Sequence, residues 1–96
     1  MPFAPGGSTD LVARLVANKL GERLGQQVVI DNRPGASGII GADLVAKAQP
    51  DGYTLLMAGG SFGIISSLYP NAPFDTAKNF APIALFATSH YVFVVH

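Results

Sequence analysis

The alternation of amphipathic, helix-periodic segments with short apolar runs most constrains the fold of this 96-residue chain. From Thr9 to Leu24 apolar residues recur every three or four positions, which predicts an amphipathic helix ended by Gly25. The β-branched run Gln26–Asp31 predicts a short buried strand. A turn with Pro-Gly follows, and a second helix is expected from Ser37 to about Gln49.

The second half of the chain continues the alternation. Tyr53–Gly60 is a continuous apolar run, typical of a strand covered on both faces, and a short helix is predicted over Phe62–Leu68. Two further strands are expected, at 81–90 and 91–96. Such alternation is how βαβ units appear in a sequence, so we expect an α/β fold with a mostly parallel sheet covered by helices. Ligands in such sheets bind at the carboxyl ends of the strands.

Charge and composition narrow the function classes. Six Lys and Arg residues balance six Asp and Glu residues and are scattered singly, so no basic stripe exists for a nucleic acid and none is expected as a partner. The absence of cysteine excludes disulfides and thiolate metal sites. His90 and His96 have no paired carboxylate near them, so we expect no metal. Neither a membrane-spanning run nor a signal peptide is recognisable.

The stretch "FAPGGSTD", Phe3 to Asp10, predicts a loop that feeds a helix N-terminus. Backbone N–H groups converge there with the positive end of the helix dipole, an arrangement that suits a carboxylate. A second Gly-Gly turn, Gly59-Gly60 followed by Ser61, is a candidate for the opposite wall of the same carboxylate site. The alternative is that both glycine pairs only permit tight turns. Asp10 either favours the first helical turn through the dipole or reaches toward a ligand amine or water.

Other chemistries fit the motifs less well. "GASGIIG", with Gly35, Gly38 and Gly41, resembles a dinucleotide turn, but its glycine spacing differs and the next strand ends without an acidic residue for a ribose. Close packing by small residues is the better interpretation of these three glycines. Neither Gly-Gly turn has the lysine of a phosphate-binding P-loop, and the serines lack a nucleophile elbow. We therefore expect no enzyme activity and no cofactor.

Four motifs in order carry a resemblance to a known family. They are "PFAPGGSTD", "LGQQVVIDNRPGASG", "PDGYTLL" and "FAPIALFATSHYVFVV". The chain resembles the N-terminal part of the substrate-binding proteins of tripartite tricarboxylate transporters, the Bug (TctC-like) family of bacterial periplasmic receptors. The resemblance implies a periplasmic binding protein with a two-lobed, Venus-flytrap fold, which captures a small carboxylate between its lobes and delivers it to membrane permease subunits.

The resemblance also implies where the ligand binds and what the chain lacks. The expected ligand is a di- or tricarboxylate, an amino acid or an aromatic acid. Residues 1–96 are expected to form an incomplete first lobe, without the leading strand, the signal peptide and the second lobe of the family. Unpaired backbone would then invite association with a second copy. The alternatives are a nucleotide-dependent α/β enzyme and a non-functional fragment. The positions carried over for ligand binding are Ala4, Pro5, Gly6, Gly7, Ser8, Asp10, Ala58, Gly59, Gly60 and Ser61.

Overall fold

A computed structural model describes residues 1–95. Within that range the α-helices are α1 (Ser8–Leu24), α2 (Ile39–Ala46) and α3 (Ile65–Leu68). Short 3₁₀ segments, Ala36–Gly38 and Gly60–Ile64, lead directly into α2 and α3. The helices therefore appear in the predicted order, but two are shorter than predicted. Helix α2 begins at Ile39 and ends at Ala46, and the α-helical part of the predicted helix Phe62–Leu68 is limited to Ile65–Leu68.

Helix α1 confirms the predicted first helix. Gly25 ends it in the left-handed conformation, with φ of 66°, which glycine adopts without strain. Its buried residues are the small Ala13 and Ala17 together with Asp10, which lie three and four positions apart on one face. Several larger apolar side chains of the helix stay exposed, with Leu11 and Leu15 each 63% accessible. The helix thus packs on the chain through its alanine face.

The glycines before and inside α2 allow the N-terminal segment to lie against that helix. A Cβ atom added at Gly41 would sit 2.9 Å from Pro2 Cα and 2.8 Å from the carbonyl oxygen of Arg33. At Gly38 an added Cβ would lie 3.2 Å from Pro2 Cβ. The interpretation of "GASGIIG" as a close-packing motif is therefore confirmed at these two positions.

The predicted sheet is not confirmed, because no β-strand forms within residues 1–95. A strand exists only as part of a ladder of backbone hydrogen bonds, and the apolar runs at 26–31, 53–59 and 81–95 make no ladder with one another. One rung of parallel type is present at the N-terminus. The Met1 amino group donates to Asp31 O at 2.7 Å, and the Arg33 amide donates to Met1 O at 2.7 Å. His96, the last residue of the predicted final strand, lies outside the described residues.

The core is small and lies between α2, α3 and the proline-punctuated loop 69–80. Its buried members are Ala42, Ile65 and Phe74. Phe74 stacks on Phe62 at a centroid distance of 6.4 Å and meets Phe80 edge-on at 5.6 Å. The sequence predicted only a loop here, yet this loop supplies two of the three aromatic rings of the core.

The run at 81–95 is exposed throughout, with Phe93 98% accessible.

Across the part of the chain that the structure describes, none of the helices has the length and hydropathy to cross a membrane.

Candidate functional site

The first Gly-Gly turn lies at the N-terminus of α1, as predicted. Gly6 has φ of +91°, a conformation that favours glycine, and Gly7 is the extended N-cap residue of the helix. The first helical hydrogen bond runs from the Leu11 amide to Gly7 O at 3.0 Å. The preceding N–H groups of Ser8 and Thr9 point out of the helix end without an intrahelical acceptor, and no side chain caps them.

Space around this turn is open on one side. A Cβ added at Gly6 or Gly7 meets no atom within 4 Å. A surface depression of about 210 Å³ adjoins the turn. It is lined by Gly6, Gly7, Ser8, Asp10, Leu11 and Arg14. A small ligand can therefore approach the backbone of the turn closely.

Asp10 is buried behind the turn, with 4% of its surface accessible. Its Oδ2 accepts hydrogen bonds from the Gly6 amide and from Arg14 Nε, both at 2.9 Å. Its Oδ1 accepts from the side-chain amide of Asn32 at 3.1 Å. Of the two roles weighed for Asp10, this geometry favours a structural one, since the carboxylate holds its own turn. Besides any interaction with the helix dipole, the carboxylate joins three segments of the chain: the Gly6 turn, helix α1 at Arg14 and the segment that contains Asn32.

The hydrogen bonds around Asp10 stabilise its charged form. The Arg14 guanidinium, the Gly6 amide and the Asn32 amide lower the pKa of the Asp10 carboxyl from its ordinary 3.8 to about 2, against the opposing effect of burial. The carboxylate is therefore ionised at any physiological pH.

Asn32 and Arg14 adjoin the candidate site, and the sequence patterns did not predict a role for either. Asn32 follows the predicted strand 26–31, and its side-chain amide also donates to Phe3 O at 3.1 Å. Arg14 follows Asp10 by one helical turn, so the i, i+4 spacing of opposite charges could have predicted their ion pair. No local pattern indicated Asn32, because its partners lie 22 and 29 residues away.

The second Gly-Gly turn forms the entry to the 3₁₀ segment before α3. Gly59 is its extended N-cap residue, and the Phe62 amide donates to Gly59 O at 3.0 Å. Ala58 is half-buried, whereas Gly60 and Ser61 are exposed. The Tyr91 hydroxyl lies 3.7 Å from the position that a Cβ of Gly60 would take.

Phe3 brings the two turns together. A Cβ added at Gly59 would lie 3.0 Å from Phe3 Cζ, so the ring of Phe3 packs on the backbone of the second turn. Ala4 and Pro5, which continue from Phe3 into the first turn, are exposed. The predicted positions thus belong to two neighbouring turns joined by one aromatic ring.

The "GASGIIG" turn, considered above as an alternative cofactor site, has little open space at Gly38 and Gly41. Pro2 occupies the space next to Gly38 and Gly41 that a pyrophosphate would need for close approach. Ala36 and Ser37 take positive φ values of 46° and 57°, and the Ser37 hydroxyl is 2.9 Å from the Tyr69 hydroxyl. The described residues also contain no cluster of three or more His, Cys, Asp or Glu side chains arranged to hold a metal ion.

Comparison with curated proteins gives several relatives of similar identity. A protein encoded in the tcbD–tcbE intergenic region of Pseudomonas sp. strain P51 is 46% identical over 95 residues, which cover 99% of this chain and 28% of that protein. The protein BugT of Bordetella pertussis is 45% identical over 87 residues, covering 88% of this chain and 27% of BugT. The chain spans about a quarter of the length of the curated relatives it matches.

Solved structures also match this chain over part of their length. MatC from Rhodopseudomonas palustris, solved with bound malate, superposes with a TM-score of 0.80 at 44% identity, over 88% of this chain and 29% of MatC. A structure described as a periplasmic transporter superposes with a TM-score of 0.75 at 47% identity, over 80% of this chain and 26% of that one. The fold is thus that of part of a periplasmic binding protein. The model of the tripartite tricarboxylate transporter family receptor (TctC) matches residues 12–96, and the chain belongs to that family.

Proposed function

We propose that this chain is part of the first lobe of a periplasmic receptor that binds a small carboxylate and delivers it to the membrane permease of a tripartite tricarboxylate-type transporter. Family membership and the malate bound to MatC support a solute-binding role. The observation that carries the proposal on this chain is the open turn at the start of α1, where Gly7 caps a helix end whose N–H groups have no intrahelical acceptor.

The proposed mechanism is capture of a carboxylate oxygen by backbone donors. The amides of Gly7, Ser8 and Thr9 supply the hydrogen bonds at the positive end of the helix dipole. The Gly6 amide already donates to Asp10, so Gly6 contributes an open surface and its left-handed conformation. Ala4 and Pro5 form the adjoining wall. Arg14 borders the depression, and its charge is largely balanced by Asp10.

The second turn forms the other wall of the proposed site. Gly59 lies against Phe3, the preceding Ala58 is half-buried, and Gly60 and Ser61 are exposed. Ser61 offers a hydroxyl to a second polar group of the ligand. A ligand with two carboxylates, such as malate, suits two separated sets of donors.

In the proposed receptor the runs at 26–31 and 53–60 and the two expected strands after residue 80 belong to a mostly parallel sheet completed by further strands, and a second lobe closes over the ligand. The protein is a binding protein and catalyses no reaction. Residues 1–96 alone bind carboxylates weakly or not at all, because hinge closure needs the second lobe. The exposed run at 81–95 favours self-association of the isolated chain, which size-exclusion chromatography with light scattering measures.

Calorimetric titration of the two-lobe receptor with C4 to C6 dicarboxylates, citrate and acidic amino acids tests the proposal. Gly7→Val is the informative variant, since its side chain enters open space in the turn and meets no neighbouring atom at Cβ. Gly63→Val is the matched control, because position 63 also faces open space but lies outside both turns. Binding that is lost in Gly7→Val and kept in Gly63→Val supports the site. Equal binding by both variants contradicts it, and binding of no ligand in the panel contradicts the proposed ligand class.

A further inference from the structure

We infer that Asn32 is a positioning residue of the carboxylate site: it orients Asp10, which in turn holds the Gly6-Gly7 turn in its binding conformation. The inference rests on the proposed function for its consequence in ligand binding. Its structural part, the control of the Gly6 amide by Asn32, stands on the hydrogen bonds around Asp10 alone.

The Asn32 side chain bonds to three residues in two other parts of the chain. Its amide nitrogen donates to Phe3 O and to Asp10 Oδ1, each at 3.1 Å. Its oxygen accepts from an Arg14 Nη at 3.4 Å. The two N–H donors and the carbonyl of one asparagine therefore join the segment before the turn to the first two turns of α1.

Asn32 leaves one oxygen of Asp10 for the turn. Because Oδ1 of Asp10 is held by Asn32, Oδ2 faces the Gly6 amide and Arg14 Nε, each at 2.9 Å. Arg14 closes the ring by contacting both Asp10 and Asn32. A closed ring of hydrogen bonds fixes the rotamers of its members more strongly than separate pairs do.

Packing does little to hold this turn. An added Cβ at Gly6 or Gly7 meets no atom within 4 Å, and Ala4 and Pro5 are exposed. The conformation of Gly6, with φ of +91°, is one of several that glycine can adopt. The bond from the Gly6 amide to Asp10 is thus the contact that selects it.

The backbone places Asn32 where it can do this. The paired bonds from Met1 to Asp31 and from Arg33 to Met1 set Asn32 opposite Met1 in parallel register. Two residues further along, Phe3 O falls within reach of the Asn32 amide. The "DNR" segment thus aligns the residues that lead into the turn.

Two variants and one control test the inference in the isotope-labelled two-lobe receptor. Asn32→Leu has a similar volume and no polar group, and Asn32→Gln keeps the amide on a longer side chain. Asp31→Asn is the matched control, since it changes a neighbouring polar side chain that is exposed and bonded to Arg33. The amide proton shift of Gly6 and its temperature coefficient report the bond to Asp10. The shift of the Ala42 amide, in the buried part of α2, reports global folding.

In Asn32→Leu we expect the Gly6 amide to lose its hydrogen-bonded signature while Ala42 is unchanged, and the Kd for malate to rise about tenfold. Asn32→Gln should recover part of the Gly6 hydrogen-bond signature and part of the malate affinity. Asp31→Asn should resemble the wild type in both measurements. A wild-type Gly6 signature in Asn32→Leu overturns the inference, as does an unchanged malate Kd. If Asn32→Leu fails to fold, a displaced Gly6 signal in Asn32→Gln supports the inference and an undisplaced one overturns it. If the wild type binds no malate, the proposed ligand fails, and the Gly6 signal alone decides the role of Asn32.

Discussion

The side-chain amide of Asn32 lies 3.1 Å from Oδ1 of Asp10 and joins two positions 22 residues apart. This bond connects the start of α1 to the segment that follows the first predicted strand. The N-terminus of α1 has no side-chain cap. The turn that leads into it is instead fixed by the buried carboxylate of Asp10, which accepts a hydrogen bond from the Gly6 amide. The donors left free at the helix end are then available to a ligand.

Stability should depend on the ionisation of Asp10. Its pKa is lowered in the folded state from 3.8 to about 2, so the folded protein favours the charged carboxylate more than the unfolded chain does. The resulting contribution to stability is fully present only well above the unfolded-state pKa of 3.8 and is lost as the pH falls through the folded-state pKa of about 2. Urea unfolding between pH 2 and pH 6 measures it. Asp10→Asn should flatten the part of the pH profile below pH 4, and a profile unchanged by that substitution would contradict the assignment.

Gly41 should not tolerate even one methyl group. In Gly41→Ala the new Cβ would lie 2.8 Å from Arg33 O and 2.9 Å from Pro2 Cα, and backbone atoms cannot move aside cheaply. We expect the free energy of unfolding to fall by about 1–3 kcal/mol. Gly63→Ala is the control, because a Cβ there meets nothing within 4 Å and should change stability by no more than about 0.5 kcal/mol. Equal stabilities of the two variants in urea unfolding would show that the N-terminal segment does not pack on α2.

Phe74 should be essential to the core even though it lies in a loop. It is 7% exposed and contacts both Phe62 and Phe80. Phe74→Ala removes a buried ring and leaves a cavity, so we expect a loss of about 3–5 kcal/mol in the free energy of unfolding. Tyr53→Ala removes an aromatic side chain that is 92% exposed and serves as the control. A loss no larger than that of the control would mean that the loop 69–80 is not part of the folded core.

The helices and the turns were predictable because their signals are local. Periodicity located α1, Gly25 marked its end, and the glycine pairs marked both turns of the candidate site. The sheet could not be tested in the same way. Its runs have β-type composition, but a ladder depends on neighbouring strands, and within residues 1–95 only the Met1 rung forms.

What the sequence could not show is how distant residues complete the site. Asp10 could be placed in the first helical turn, but the donors that bury and orient it include Asn32, far along the chain. Phe74 stood in a segment of prolines and polar residues, where no period indicates a buried face. The proposed binding role came from the family resemblance, because the backbone donors alone are compatible both with a ligand site and with a tight turn.

The contact between Phe3 and Gly59 should couple the two turns of the site. In Gly59→Ala the added methyl would lie 3.0 Å from Phe3 Cζ, the far end of a side chain that can rotate, so the cost in stability should be at most about 1 kcal/mol. The displaced ring would nevertheless move the residues leading into the first turn, and we expect the Kd for malate in the two-lobe receptor to rise. Phe3→Leu in the Gly59→Ala background removes the clash and should recover part of the affinity. Calorimetry on the two single variants and the double variant measures the coupling. Additive effects on the Kd would show that the turns act independently, whereas a double variant that binds better than Gly59→Ala alone would show that Phe3 transmits the change from one turn to the other.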